Sequence, residues 1–291
     1  MKIGVLTDSS AYLTPEEQQA DGIKVLPIPI IWGKQTYYDL VTIGFHEFYQ
    51  KLASDSDLPN TSQPSTGELK EAIDKFVADG YTDVFVITLS SGISGFYNNV
   101  VQYAQQEDRL KIHPFDSKVT CAGLAFQAQL AGRLAKTGAD AETIQAALED
   151  LRSTTRVRFE VDNLQHLKRT GRLSNAASFI GGLLKIKPIL TMNVQTDGKI
   201  VAIAKERQER RALRHIITDV QTDIAKANYP VQGTIFHADD EAKEDAWCKA
   251  FQTEVPTMRL GRSIIGPVVG THVGQHTMSI IWAKDLAEYF K

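Results

Sequence analysis

The sequence predicts an α/β chain, with a doubly wound parallel sheet in its N-terminal half and an α+β arrangement with a mixed or antiparallel sheet in its C-terminal half. Three observations carry this expectation. In residues 1–155, short apolar runs alternate with amphipathic segments of helical length, the rhythm of strand–helix–strand units. Three of those runs end in hydroxyl-rich turns, Asp8-Ser9-Ser10, Ser90-Ser91-Gly92-Ile93-Ser94 and Asp116-Ser117. Open parallel sheets bind ligands outside the carboxyl ends of their strands, where all three turns would lie. In residues 156–291 the rhythm changes, and two apolar runs flank Thr196-Asp197-Gly198, a hairpin signal. A boundary near residue 155 follows from that change.

The elements are justified in order. Residues 3–7 are a short buried strand. Thr14-Pro15-Glu16-Glu17 opens a helix, with Thr14 as N-cap, Pro15 in the first position and Glu17 in the third. Residues 24–31 form a second strand, which Pro27 and Pro29 place at an edge or make irregular. A short amphipathic helix covers 45–53, and 58–67 is polar and turn-rich. A helix over 68–79 is ended by Gly80. The apolar strand 83–89 leads into the serine-glycine turn and a helix from about Phe96. Another strand covers 112–115, and the helices 121–136 and 140–153 are separated by Gly138. In the second half, a strand over 158–161 precedes short helices over 164–169 and 176–184. The hairpin strands are 188–194 and 199–204, and a long helix covers 207–226. A strand over 231–237, a helix over 241–254 and a strand over 257–260 follow. Residues 264–271 are a short helix or turn, and 278–282 is the last strand.

Composition limits the function. The chain has 291 residues, 43% hydrophobic and 23% charged, enough for a large core without staples. A formal net charge of -3 gives no electrostatic reason to expect nucleic acid. Cys121 and Cys248 have no metal-ligand or redox spacing, and they read as reduced thiols. No apolar window approaches the roughly 20 residues of a membrane span, and the N-terminal apolar stretch is too short for a signal peptide. The expected location is cytoplasmic.

Several segments are suited to an anion. The turn from Ser90 to Gly95 combines serine donors with a helix start, where unpaired backbone N–H groups carry the positive end of the dipole. Read alone, it is equally an ordinary N-cap. Asn60-Thr61-Ser62-Gln63-Pro64-Ser65 is a run of short hydrogen-bonding side chains, also readable as a loop with a cap. His272 lies between glycines and can donate to an anion or act as a base; His276 is a weaker candidate. Arg172 belongs to one basic group. Arg207, Arg210, Arg211 and Arg214 form a second, expected on one helical face as a solvated surface or a dock for an acidic partner. A Ser94–His272–Asp116 triad is conceivable, but Phe96 stands where a G-x-S-x-G elbow needs glycine. No phosphate loop, dinucleotide fingerprint or H-E-x-x-H occurs.

Together the motifs are far more specific than each is alone. TDSSAYL at 7–13, TSQPS at 61–65, LSSGISGFYN at 89–98, FDSK at 115–118, LKRTGRLS at 167–174, KPIL at 187–190 and GPVVGTHVG at 266–274 span essentially the whole chain. In this order they resemble the DegV family, and within it the fatty-acid-binding proteins that serve bacterial fatty acid kinase. The resemblance implies two α/β domains, 1–155 carrying the carboxylate-binding turns and 156–291 enclosing the acyl chain. It also implies a long-chain fatty acid as ligand, no other cofactor, no metal and no catalytic residue of the chain's own. By motif, the carboxylate falls to Thr61, Ser94 and His272, with Ser62 and Gly95 beside them. A separate kinase would phosphorylate the bound carboxylate, and the carrier would deliver acyl phosphate toward phospholipid synthesis with transient membrane contact. Arg207, Arg210 and Arg211 are then the candidate kinase dock, and Arg172 a candidate near the head group. Two departures stand out. The glycine-rich segment usual after the histidine reads Val273-Gly274-Gln275-His276-Thr277-Met278 here, and Phe96 replaces a small residue. Two rivals remain open: a Ser94-dependent acyl hydrolase or transferase, and a binding or sensor protein for another amphiphile.

Overall fold

A computed structural model describes residues 2–162, 164–175 and 186–291. The helix expected over 176–184 lies outside them. A four-stranded parallel sheet, in the order β2-β1-β6-β7, is built from β1 (Ile3–Asp8), β2 (Ile23–Leu26), β6 (Asp83–Thr88) and β7 (Lys111–Asp116). Every residue of β6 is buried, as its unbroken apolar run demands of a strand covered on both faces. Helices α1 (Pro15–Asp21), α3 (Thr66–Ala78) and α4 (Phe96–Ala104) connect these strands. The capping box at α1 forms as expected: Thr14 Oγ1 accepts from Glu17 N, and the Glu17 carboxylate accepts from Thr14 N.

The C-terminal sheet is mixed, in the order β10-β9-β8-β13-β11-β12. Its strands are β8 (Arg156–Glu160), β9 (Lys187–Met192), β10 (Ile200–Glu206), β11 (Val231–His237), β12 (Arg259–Ile264) and β13 (Met278–Lys284). β9 and β10 are the expected hairpin, and among the described strands of this sheet only the β11–β12 pair is parallel. A second core lies where Ile216, Ile217 and Val220 of α8 (Glu209–Lys226) and Trp247 and Phe251 of α9 (Glu241–Glu254) meet this sheet. The main core runs through both halves, from Val5 to Leu286. At its centre is α5 (Cys121–Lys136), whose run of alanines and glycines lets it contact both β1 and β13, while α6 (Ala141–Thr154) packs on it. Among the described residues, no helix is long and apolar enough to cross a membrane.

Several expectations are corrected. The strand expected over 24–31 is two strands. The chain leaves the parallel sheet after Leu26, and β3 (Pro29–Trp32) pairs instead with β4 (Gln35–Tyr38) and β5 (Asn60–Thr61). The reason is that Pro27 and Pro29 each remove a backbone donor, which interrupts any single ladder. Thr61 thus lies in a strand, not a turn, and β4 was missed. Pairing of Glu206 with Lys187 keeps residues 200–206 extended, so α8 starts only at Glu209 and Arg207 precedes the helix. Residues Pro267–Val273 are a helix, α10, and the strand expected over 257–260 is displaced to β12. Helices α2 (Phe45–Ser54) and α7 (Gln165–Arg169) both contact α10.

Candidate functional site

Three short elements from distant parts of the chain meet at one cavity of about 100 Å³. By the measure in which roughly 10–15 Å³ admits one water, it has room for a group of several heavy atoms. β5 and the residues after it supply Thr61, Ser62 and Gln63. The turn after β6 supplies Ile93, Ser94 and Gly95, and α10 supplies Val268, Val269, His272 and Val273. Arg172, Thr120, Leu89, Ile28 and Ile200 complete the wall. Among these residues none is acidic. Hydroxyl, amide, imidazole and guanidinium groups share the surface with aliphatic side chains.

The turn is held in place by the other half of the chain. Ser90 Oγ donates to Gly198 O at 2.9 Å and accepts from Gly92 N at 3.1 Å. Gly198, in the hairpin between β9 and β10, has φ +65°, and a Cβ there would stand 2.0 Å from Ser90 Oγ. Glycine is required at this position for both reasons. Ser94 N donates to Ser90 O, and Ser94 Oγ accepts from Phe96 N at 3.2 Å, which leaves the Ser94 hydroxyl proton for another acceptor.

His272 Nε2 and Thr61 Oγ1 share a hydrogen bond of 2.8 Å. His272 Nδ1 is buried and has no partner among the described residues. Burial, together with the charges of Arg172 and Arg169, lowers the pKa of His272 to about 3, so its ring is neutral at physiological pH. Arg172 Nε donates to Ile93 O at 3.3 Å, and another of its nitrogens donates to Thr170 O. Arg172 makes no ion pair among the described residues, so its charge is available to the cavity. Its position is set by the segment that follows. Leu173 bridges Ile200, Ser174 N donates to Ile200 O, and the Asn175 amide exchanges two hydrogen bonds with Ala202, at 2.8 and 2.9 Å.

Thr61, Ser62, Ser94, Gly95, Arg172 and His272 therefore come together at this cavity. Arg207, Arg210 and Arg211 do not: they are exposed at the start of α8. His276 is exposed and bonded to Asp240 at 3.0 Å, outside the cavity lining. Phe96, 1% exposed, is a core residue, so its departure from the motif does not touch the cavity. The triad does not assemble. Both Asp116 oxygens accept from Ser91 and the Lys118 ammonium stands beside one of them, while His272 Nδ1 has no carboxylate partner among the described residues. Of the three strand-end turns, only the one containing Ser94 lines the cavity. Thr120 and the walls from Ile28, Ile200, Val268 and Val269 carry no local signal of their role, because only the tertiary fold places them together.

Fold and cavity define the class: an α/β protein in which a parallel and a mixed sheet meet at a cavity with a donor-rich and an apolar side. A family model described as uncharacterised protein, DegV family, matches residues 2–285, and the chain belongs to the DegV family. It is 35% identical to Protein DegV of Bacillus subtilis over 283 residues, covering 97% of this chain and 99% of that one. The crystal structure of DegV, described as a fatty acid binding protein from Bacillus subtilis, superposes with a TM-score of 0.89 at 34% identity, covering 98% and 100% of the two chains. A fatty acid binding DegV family protein from Streptococcus agalactiae gives 0.88 at 30% identity, covering 98% and 99%.

Proposed function

We propose that this protein binds a long-chain fatty acid. The carboxylate sits among Thr61, Ser94 and His272, with Ser62 and Gly95 beside them and Arg172 supplying positive charge. The tail runs along the aliphatic wall into the half formed by residues 156–291. The observation that carries this reading is the cavity's composition: among its described residues it has hydrogen-bond donors, a guanidinium with no ion-pair partner and no carboxylate, and Ile28, Leu89, Ile93 and Ile200 continue the surface. An alkyl chain gains about 0.8 kcal/mol per buried CH₂. An unpaired buried carboxylate is very costly, so its donors must be in place. In the neutral tautomer that carries its proton on Nε2, His272 donates to Thr61 Oγ1, and the Thr61 hydroxyl proton is then free to point at the carboxylate. The relatives described as fatty acid binding support the same reading.

The protein acts as a cytoplasmic carrier: it presents the carboxylate to a separate fatty acid kinase and takes acyl phosphate toward phospholipid synthesis, with transient membrane contact for lipid exchange. Arg207, Arg210 and Arg211 are the kinase dock. They are exposed and cluster at the helix end whose dipole adds to their charge, which suits an acidic partner. The first test is native mass spectrometry of protein purified from bacteria, which should carry the mass of a bound fatty acid. A clean ligand-free mass, with no uptake on incubation, refutes it. Lipid extraction then identifies the ligand, and another amphiphile there would replace the fatty acid in this reading. Charge reversal at Arg207 and Arg211 should abolish phosphorylation and leave fatty acid binding unchanged; persistence of both activities refutes the dock.

A further inference from the structure

The Asp-Ser-Ser turn after β1 does not line the cavity; it lies behind the wall. Ile28 N donates to Ser9 Oγ at 3.1 Å, and Ser9 Oγ donates to Asp39 Oδ2 at 2.7 Å. The other carboxylate oxygen, Oδ1, accepts from Val268 N at 3.3 Å. Beside it, Tyr12 Oη accepts from Val269 N at 3.0 Å. Val268 and Val269 occupy the first turn of α10, whose N-cap is Gly266 and so has no side chain to satisfy those donors. The cap is supplied instead from more than two hundred residues away. Gly266 is required for it: a Cβ there would meet the Tyr12 ring at 2.3 Å. Tyr49 Oη adds a bond to Ile265 O at 2.7 Å. Ile28, Val268 and Val269 all line the cavity, and His272 follows one turn later on the same helix.

We infer that Ser9, Asp39 and Tyr12 are positioning residues for the head-group cavity, a buried clasp that ties the Ile28 wall to the first turn of α10 and thereby sets where His272 stands relative to Thr61. Asp39 and Ser9 are 1% and 7% exposed, so neither meets a ligand in solution. Ser9 is the pivot, because its hydroxyl both accepts from one wall and donates toward the other.

The identity of the ligand rests on the fatty acid reading, whereas the clasp is also visible in the unliganded protein. The experiment compares wild type with Ser9→Ala, Ser9→Thr, Asp39→Asn and Tyr12→Phe, using [1-¹³C]palmitate as probe and the imidazole ¹⁵N resonances of His272 as the geometric readout. Ser9→Ala and Asp39→Asn should weaken palmitate binding about ten-fold or more and move the His272 resonances and the bound carboxyl signal. Tyr12→Phe, the mildest change, should move the His272 resonances alone or with a smaller loss of affinity. Ser9→Thr, which keeps the hydroxyl, should restore both. A folded Ser9→Ala or Tyr12→Phe protein with wild-type His272 resonances overturns the clasp, and so does Ser9→Thr behaving like Ser9→Ala. Wild-type protein that takes up no palmitate refutes the fatty acid reading, while the His272 resonances still decide the clasp.

Discussion

Thr61→Val removes one hydroxyl and keeps the shape of the side chain. Residue 61 pairs with Ile30 in a short antiparallel ladder, where a β-branched side chain is well tolerated. The hydroxyl has two duties. In the proposed site it would give the bound carboxylate a hydrogen bond to a charged group, worth about 1.5–3 kcal/mol, so its loss should raise Kd about 10- to 150-fold. Toward the protein it is the 2.8 Å partner of His272 Nε2. Its loss would leave both ring nitrogens unpartnered among the described residues, since Nδ1 already is. An orphaned buried polar group costs about 1–3 kcal/mol, which in a chain of this size lowers Tm by a few degrees. The assay is displacement of a fluorescent fatty acid by laurate, myristate and palmitate, beside thermal unfolding. Because the tail contributes through its own methylenes, the ratio of variant to wild-type Kd should be the same for all three acids. A ratio below about three-fold, or one that changes with chain length, would refute the assignment of Thr61 to the head group.

Three further expectations follow from named contacts. The native pKa of His272, about 3, lies below its ordinary 6.5, so the unfolded chain binds a proton that the native state refuses. Its contribution to stability is therefore complete above pH 6.5 and falls as pH drops toward 3, reaching a loss of about 3 kcal/mol at pH 4.5. His272→Gln should remove that acid-side loss in urea unfolding at pH 4.5 and 7, and an unchanged pH slope contradicts it. Arg172→Gln should weaken palmitate binding and raise the His272 pKa, because the Arg172 charge depresses it; an NMR titration that does not move would show that the two groups do not interact. Gly198→Ala forces a left-handed conformation on a residue with a Cβ and drives it into Ser90 Oγ. It should cost about 2 kcal/mol and lower Tm by about 4 °C, and an unaltered melting curve would count against the Ser90–Gly198 contact.

Much of this protein is legible in its sequence. The capping box at Thr14, the buried strand Asp83–Thr88 and the β9–β10 hairpin follow from local spacing, because caps, turns and apolar periodicity act over a few residues. The elements that were misread depend on partners far away. The segment around Pro29 changes sheets, and α8 begins late because Glu206 still pairs with Lys187. The Asp-Ser-Ser turn looked like a ligand loop, yet its hydroxyls are spent on Asp39 and Asp8 and on the backbone of Ile28.

The same division holds for the site. By itself the sequence determined the α/β class, most of the helices and sheet strands outside the β3–β4–β5 sheet, and the family motifs that contain Thr61, Ser94 and His272. It left each residue readable as a cap, a turn or a lone histidine. The tertiary structure decided that β5, the Ser90–Gly95 turn and α10 share one cavity, that Arg172 joins them, and that Arg207, Arg210 and Arg211 stand apart. The physical reason is range. Backbone propensity and capping are settled between neighbours in sequence, whereas a shared cavity, a lowered imidazole pKa and a helix capped by Asp39 exist only when the packed core brings distant segments within hydrogen-bonding distance.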